Sequence, residues 1–95
     1  MGKEKSLQSD EAWRQAQDLT TSSLGLKAKL FPAQGGSYQG AIIGATNRHV
    51  VQRLTPVSAV AHDREVLDQI PKAGERVRIR YTGEKARIER VPAHT

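Results

Sequence analysis

Apolar and polar residues alternate most regularly near the C-terminal end of the chain, over residues 75–81 and again over residues 86–91. A period of two predicts two β-strands that each bury one face. Gly83 stands between them at the first central position of a two-residue type II′ turn, so the whole segment predicts a β-hairpin. This turn sets the register of the two strands and places Arg80 opposite Arg87 on their polar side.

Shorter alternating segments predict four more strands upstream of the hairpin. We expect them at residues 26–31, 38–43, 49–54 and 57–62. Gly40 lies inside the second of these strands and Gly44 lies just after it. Glycine in a strand pattern usually marks a bulge or a close approach of two backbones.

The first 24 residues predict a polar tail followed by a helix. Ser9 can cap a helix over residues 9–24, and Gly25 can end it. The apolar stripe of this helix is thin and includes Trp13. We expect Trp13 to anchor the helix on the core, and the alternative interpretation is that it faces a partner.

A second, shorter helix is predicted between the fourth and fifth strands, over residues 64–70. Asp63 can cap it and Pro71 ends it. Leu67 and Ile70 share its apolar side. About two turns of helix are too short to be stable alone, so this helix must pack on the sheet.

Together these elements predict a mostly β fold. We expect a small, curled, mostly antiparallel sheet or SH3-like barrel of five to six strands, with one short internal helix and an N-terminal helix; an open α+β sheet is the alternative. Residues 1–24 would form the tail and helix, and residues 25–95 a single small β domain. The predicted core is Leu26, Ala28, Leu30, Ile42, Val51, Val60, Leu67, Ile70, Val77, Ile79, Tyr81 and Ile88.

Composition narrows the class of protein. A chain of 95 residues without cysteine has room for one domain, and it has no disulfide, no thiolate metal site and no cysteine nucleophile. No apolar run approaches the roughly 20 residues that span a bilayer, and the N-terminus lacks the apolar core of a signal peptide. We therefore expect a soluble, cytoplasmic protein that does not bind membranes.

Positive charge is concentrated in the β-rich part of the chain. Residues 1–24 carry three Lys or Arg against four Asp or Glu, whereas residues 25–95 carry twelve against six, within a total of +5. A basic surface favours nucleic acid or another acidic partner, through counterion release and electrostatic steering. Solubility alone is the alternative explanation.

The polar side of the C-terminal hairpin is the best candidate site. Like charges directly opposite each other destabilise a sheet, so Arg80 facing Arg87 indicates either side chains splayed into water or an acidic ligand between them. Phosphate suits the forked guanidinium, whereas Glu89 partly neutralises Arg78. The candidate nucleic-acid-binding residues are Arg76, Arg78, Arg80, Lys85 and Arg87, with Lys27, Lys29, Arg48 and Arg53 as extensions. Alternatively, these charges only protect an edge hairpin from aggregation.

Two histidines are the other chemical candidates. Neighbouring strands could bring His49 and His62 together, with Asp63 as a third metal ligand, but no established metal-ligand spacing is present. An acid–base pair of His62 and Asp63 would lack a nucleophile, because Ser58 lies in no recognisable nucleophile turn. We expect no enzyme activity, no metal and no cofactor.

Several segments of the chain, taken in order, resemble one known family. They are residues 36–44 with Thr46, residues 49–52, residues 59–62 with Leu67, and Gly74 with residues 77–81. The pattern is similar to the KfrB-type domain of conjugative-plasmid proteins. That resemblance implies a setting of plasmid maintenance or DNA transfer, since such domains occur alone or attached to relaxases, primases and other mobile-element proteins. It implies no catalytic residues.

The sequence therefore predicts a non-catalytic accessory module of a plasmid or other mobile genetic element. We expect its basic hairpin to bind the nucleic-acid backbone, DNA in preference to RNA, with little sequence selectivity because phosphate contacts carry no base information. The alternative is a protein-interaction module that docks on plasmid-encoded conjugation, replication or partition proteins. In that case the exposed residues of the third strand or the N-terminal helix would make the contact.

Overall fold

The computed structural model describes residues 2–90, and it describes side chains from residue 11 onward. One long helix is followed by six strands. The helix is α1 (Gly2–Leu24), and the strands are β1 (Lys29–Pro32), β2 (Ser37–Ala45), β3 (His49–Thr55), β4 (Ser58–Asp63), β5 (Arg76–Thr82) and β6 (Lys85–Arg90). A single 3₁₀ turn, Arg64–Val66, follows β4. No helix among these residues combines the length and the hydropathy needed to cross a bilayer.

The six strands form one sheet in the order β1-β4-β3-β2-β5-β6. Four of the five strand pairs are antiparallel, and β1 pairs with β4 in parallel. The prediction of a mostly β fold with a mostly antiparallel sheet and an N-terminal helix is confirmed. In the described chain the sheet is open, with β1 and β6 as edge strands, so it does not close into an SH3-like barrel.

The middle strand β2 joins two halves of the sheet. Its first half pairs with β5 and its second half pairs with β3, with a register shift between Ile42 and Gly44. A Cβ at Gly40 would overlap the backbone carbonyl oxygen of Arg53. The predicted close approach of two backbones at Gly40 is therefore confirmed, and it lies where β2 changes partner.

The C-terminal hairpin has the predicted register. Arg80 lies opposite Arg87 and Arg78 lies opposite Glu89. Gly83 has φ +66°, and among the described residues only glycines have a positive φ, so Glu84 has none. A positive φ at the first central residue alone is the pattern of a type II′ turn. The turn residue thus determines which side chains of β5 and β6 share a face.

The two faces of the sheet are covered differently. We call the face that bears Val77 and Ile79 the inner face, and the face that bears Arg78 and Arg80 the outer face. The inner face holds one apolar cluster, formed by Ile42, Val50, Val77, Ile79, Ala86 and Ile88. Against this cluster pack Val66, Leu67 and Tyr81.

Helix α1 covers part of the outer face. Its residues Trp13, Ala16, Leu19 and Leu24 join Leu30, Ile43, Val51, Ala59 and Ala61 in a second apolar cluster. Trp13 therefore anchors the helix, as expected. The helix approaches closely because small or short side chains face the sheet, with Ala16 and Thr20 fully buried. Leu19 lies over Gly44, where a Cβ would come within 3.2 Å of its methyl group.

The helix starts earlier than predicted. It begins at Gly2, so Ser9 lies inside the helix and does not cap it. Residues 3–8 are mostly Lys, Glu, Leu and Gln, which are good helix formers, and nothing among them breaks a helix. The predicted end is confirmed: Gly25 has φ +102° and its N–H donates to the carbonyl of Thr21 at 2.8 Å.

Two predicted core residues, Leu26 and Ile70, are exposed, at 91% and 40% of their surface. Leu26 lies in the turn after Gly25, because β1 begins only at Lys29. Ile70 is exposed because the predicted helix over residues 64–70 is only one 3₁₀ turn. Leu67 already has an extended backbone and forms an isolated bridge with Ala86 of β6. The chain is therefore not helical between Leu67 and Ile70, and the two side chains do not share a helix face.

Candidate nucleic-acid interface

The hairpin presents its cations on the outer face, as the alternation requires. Because residues directly opposite each other share a face, Arg80 and Arg87 lie side by side, as do Arg78 and Glu89. Arg76 and Lys85 lie on the same face, at the start of β5 and the start of β6. Of these five cationic residues, Arg78 is half-buried and the other four are exposed.

Glu89 interacts with two of these arginines. Its carboxylate lies 3.8 Å from Arg78 and 3.9 Å from Arg80. Arg78 also donates to the side-chain oxygen of Gln39 on β2, at 3.1 and 3.3 Å. The sequence predicted the first ion pair and made no prediction of the second. Both pairs are long and exposed, so each contributes at most about 1 kcal/mol and holds the arginine loosely.

The outer face of the hairpin nevertheless keeps a large positive charge. Five cationic side chains, those of Arg76, Arg78, Arg80, Lys85 and Arg87, stand against the one carboxylate of Glu89, which leaves a net charge of +4. Beyond the face, Glu65 and Asp68 line a groove that also includes Lys85 and Arg87. These two carboxylates moderate the potential at the β6 edge, but within the described residues they form no ion pair with Lys85 or Arg87.

The four predicted extension residues do not form one patch with the hairpin. Lys27 lies in the loop before β1, and Lys29 lies in β1 itself. Strand β1 is four strands away from β5, and neighbouring strands are about 4.8 Å apart. Arg48 lies in the turn between β2 and β3, in a groove shared with α1. Only Arg53 lies close to the hairpin, since it lines one pocket together with Arg76. Strand order, which the sequence does not show, separates these residues.

Aromatic side chains are not part of this face. Tyr38 pairs with Ile79, which places its ring on the inner face. The rings of Tyr38 and Tyr81 both lie against His62, with centroids 5.3 and 5.7 Å from it. Phe31 is exposed but lies on the distant edge strand β1. The described hairpin surface thus offers charge for phosphates and no ring on which a base could stack.

The two histidines lie on opposite faces of the sheet. His49 pairs with Asp63 and its ring contacts Trp13 of α1, edge to face at 5.9 Å, whereas His62 pairs with Val50 on the inner face. Adjacent strands bring the backbones together, but the alternation of side chains separates the imidazoles. Among the described residues no three His, Cys, Asp or Glu side chains form a group that could hold a metal ion.

His49 is partly buried, and one of its ring nitrogens has no partner among the described side chains and backbone. Within residues 11–90, its Nδ1 is buried and forms no hydrogen bond. Burial lowers the pKa of His49 below its usual value, against the opposing effect of the Asp63 carboxylate. Burial therefore favours the neutral ring, and His49 adds little to the charge of the basic surface.

His62 belongs to a buried hydrogen-bond chain that the sequence reasoning missed. The amide nitrogen of Gln52 faces the carbonyls of Val77, Gly40 and Tyr38, at 2.9, 3.2 and 3.3 Å, and its two N–H groups are shared among these three acceptors. Its oxygen must then accept from His62 Nε2, at 2.9 Å.

This arrangement determines the tautomer of His62. With its proton on Nε2, the ring accepts at Nδ1 from the hydroxyl of Tyr81, at 2.7 Å. Burial lowers the pKa of His62 to about 4 and raises the pKa of Tyr81 to about 12. The one signal in the sequence was that Gln52 lies two residues after Val50 in the same strand, so the two side chains share a face. This chain links β3, β4 and β5, so it supports the sheet behind the basic hairpin.

Comparison with known proteins supports the resemblance noted in the sequence. The family model of the KfrB domain matches residues 37–90, which span β2 to β6 and are more than half of the chain. No curated protein and no solved structure matches the chain significantly. Helix α1 and strand β1 lie outside the matched residues. The match indicates a plasmid-related module, and the chain belongs to the KfrB domain family.

Proposed function

We propose that the outer face of the β5–β6 hairpin binds the phosphate backbone of nucleic acid. One observation carries this proposal: the described hairpin gathers five cationic side chains and one carboxylate on a single exposed face. Arg80 and Arg87 lie directly opposite each other, an arrangement that costs stability unless the side chains splay apart or bind an anion. A phosphate between two guanidinium groups satisfies both.

The chemistry of the face favours binding without sequence selectivity. Long exposed arginines contact phosphates, whereas base recognition needs side chains that reach a groove or stack on unpaired bases. The tyrosines that could stack lie on the inner face. Because the matched family is plasmid-related and plasmids are DNA, we expect DNA rather than RNA as the ligand. The function is that of an accessory binding module, with no catalytic step.

Salt dependence of binding tests this proposal. If about four cations neutralise phosphates, log K for duplex DNA should fall against log salt with a slope of about −3.6, which is roughly a hundredfold loss between 50 and 200 mM salt. Fluorescence anisotropy with labelled single- and double-stranded DNA of one length measures this slope. An RNA of the same length tests the preference for DNA.

Two double variants of equal charge make the test specific. Arg80→Ala with Arg87→Ala should flatten the slope by about two phosphate contacts. Lys27→Ala with Lys29→Ala removes the same charge from the opposite edge of the sheet and should have little effect. Binding that ignores salt, or equal losses in the two double variants, would refute phosphate binding by the hairpin.

A second candidate function is docking on a plasmid-encoded protein. Exposed apolar side chains cluster around edge strand β1: Leu26 precedes it, Phe31 belongs to it, and Val57 accepts a backbone hydrogen bond from Lys29. An exposed apolar strand edge is suited to a protein partner. Phe31→Ser with Val57→Ser should then abolish co-purification with a relaxase, primase or partition protein from the same plasmid, after nuclease treatment. Retained binding in this variant would exclude docking through β1.

A further inference from the structure

A pocket lined by two arginines lies on the outer face, where β2 changes its partner from β5 to β3. At this point Ala41, which pairs with Arg76, presents only a methyl group on the outer face. A depression of about 230 Å³ lies here. Residues that line it include Gln39, Gly40, Ala41, Arg53, Thr55 and Arg76.

The charge around this pocket is uniformly positive. Arg53 and Arg76 are both exposed and both line the pocket, and none of the eight lining residues is acidic. In the described part of the chain, neither guanidinium lies within 4.0 Å of a carboxylate. Two like charges at one depression repel each other, so a bound anion would stabilise both.

The size of the pocket limits the anion. It is smaller than the roughly 300–1,000 Å³ that small-molecule sites usually occupy, so it fits one phosphate group rather than a whole nucleotide cofactor. Two guanidinium groups can each offer a fork of N–H donors to phosphate oxygens. We propose that this pocket, between Arg53 and Arg76, binds a single phosphate group and anchors one end of the nucleic-acid path along the hairpin.

The identification of nucleic acid as the source of that phosphate rests on the proposed function. The ability of the pocket to bind a phosphate group does not depend on it. A terminal phosphate monoester or an internal phosphodiester would both satisfy the arginines. Arg76 lies on the outer face with Arg78 and Arg80, so a strand that follows the arginines of β5 would reach the pocket.

Nuclear magnetic resonance titration of the full chain tests the inference. Inorganic phosphate and a short single-stranded DNA, with and without a 5′-phosphate, serve as the three ligands. We expect the backbone amides of Gly40, Ala41 and Thr55 to shift with inorganic phosphate and with at least one oligonucleotide. Tighter binding of the phosphorylated oligonucleotide identifies a monoester site, and equal binding identifies a diester site.

Two variants of different kinds and one control locate the site. Arg53→Ala with Arg76→Ala should weaken phosphate binding by about tenfold or more, because hydrogen bonds from charged groups are lost. Ala41→Met keeps both arginines but fills the depression, and it should have a similar effect. Lys27→Ala with Lys29→Ala removes two charges elsewhere and should leave binding unchanged.

The outcomes separate this inference from the proposed function. If the pocket amides do not shift, or if both pocket variants bind phosphate as the parent chain does, the phosphate pocket is refuted. Duplex DNA binding that still depends on Arg80 and Arg87 would then leave the proposed function intact. Conversely, phosphate binding at the pocket without any effect of Arg80→Ala and Arg87→Ala on DNA supports the pocket and refutes the hairpin.

Discussion

His62 should make the stability of this protein decrease in mild acid. The ring is fully buried, and both nitrogens are committed to the neutral form, one donating to Gln52 and one accepting from Tyr81. Burial lowers the pKa of His62 from 6.5 to about 4 in the folded chain. Between these two values the unfolded chain binds a proton that the folded chain refuses, so acid stabilises the unfolded state.

The size of the effect follows from the two pKa values. One pKa unit corresponds to about 1.4 kcal/mol, so the full difference amounts to roughly 3 kcal/mol. This contribution is complete above the unfolded value of 6.5 and is lost as the pH falls towards about 4. Between about pH 7 and pH 5, where most carboxylates remain ionised, the loss should be about 2 kcal/mol. That is a large part of the stability of a small domain.

Urea denaturation at about pH 7 and pH 5, followed by the fluorescence of Trp13, measures this loss. His62→Gln removes the titration and can still donate to Gln52, so this variant should lose about 2 kcal/mol less than the parent chain over the same interval. The comparison cancels the contribution of His49, whose pKa is also lowered by burial. Equal losses in the two proteins would refute the reasoning.

A direct measurement supports the same prediction without a variant. The ring protons of His62, followed by nuclear magnetic resonance in the folded parent chain, should titrate near pH 4. A midpoint near 6.5 would mean that the folded state accepts the proton freely, and the predicted pH dependence would not exist.

Two glycine substitutions test the backbone arguments. Gly40→Ala should destabilise the fold by about 2–3 kcal/mol in the same denaturation assay, because its methyl group would overlap the carbonyl of Arg53. Gly44→Ala should destabilise it less, because its methyl group meets only a flexible leucine side chain. Gly83→Ala places a Cβ at φ +66° and should cost about 1–2 kcal/mol, while Glu84→Ala in the same turn should be nearly neutral. Equal costs within either pair would contradict the geometry on which it depends.

Local patterns were sufficient for the hairpin. A strict alternation names the face of each side chain, and Gly83 sets the register, so the pairing of Arg80 with Arg87 could be predicted from neighbours in sequence. The same local reasoning placed Gly25 at the end of α1. It failed at Leu26 and Ile70, because an apolar residue beside a turn has the same spacing as one inside a strand or helix.

The order of the strands could not be predicted in this way. Alternation tells which side of a strand is buried but not which strand lies beside it, so the parallel pairing of β1 with β4 was missed. This order decides the shape of the candidate site. It sends Lys27 and Lys29 to the far edge of the sheet and brings Arg53 beside Arg76.

The β-hairpin with one basic face and the resemblance to the KfrB family can be predicted from the chain alone, because both depend on residues that are neighbours or follow in a set order. The open sheet, the buried chain of Gln52 and His62, and the pocket that two distant arginines share are visible only in the folded protein. Those features join residues from strands far apart in sequence, and their contacts exist only after the sheet has assembled.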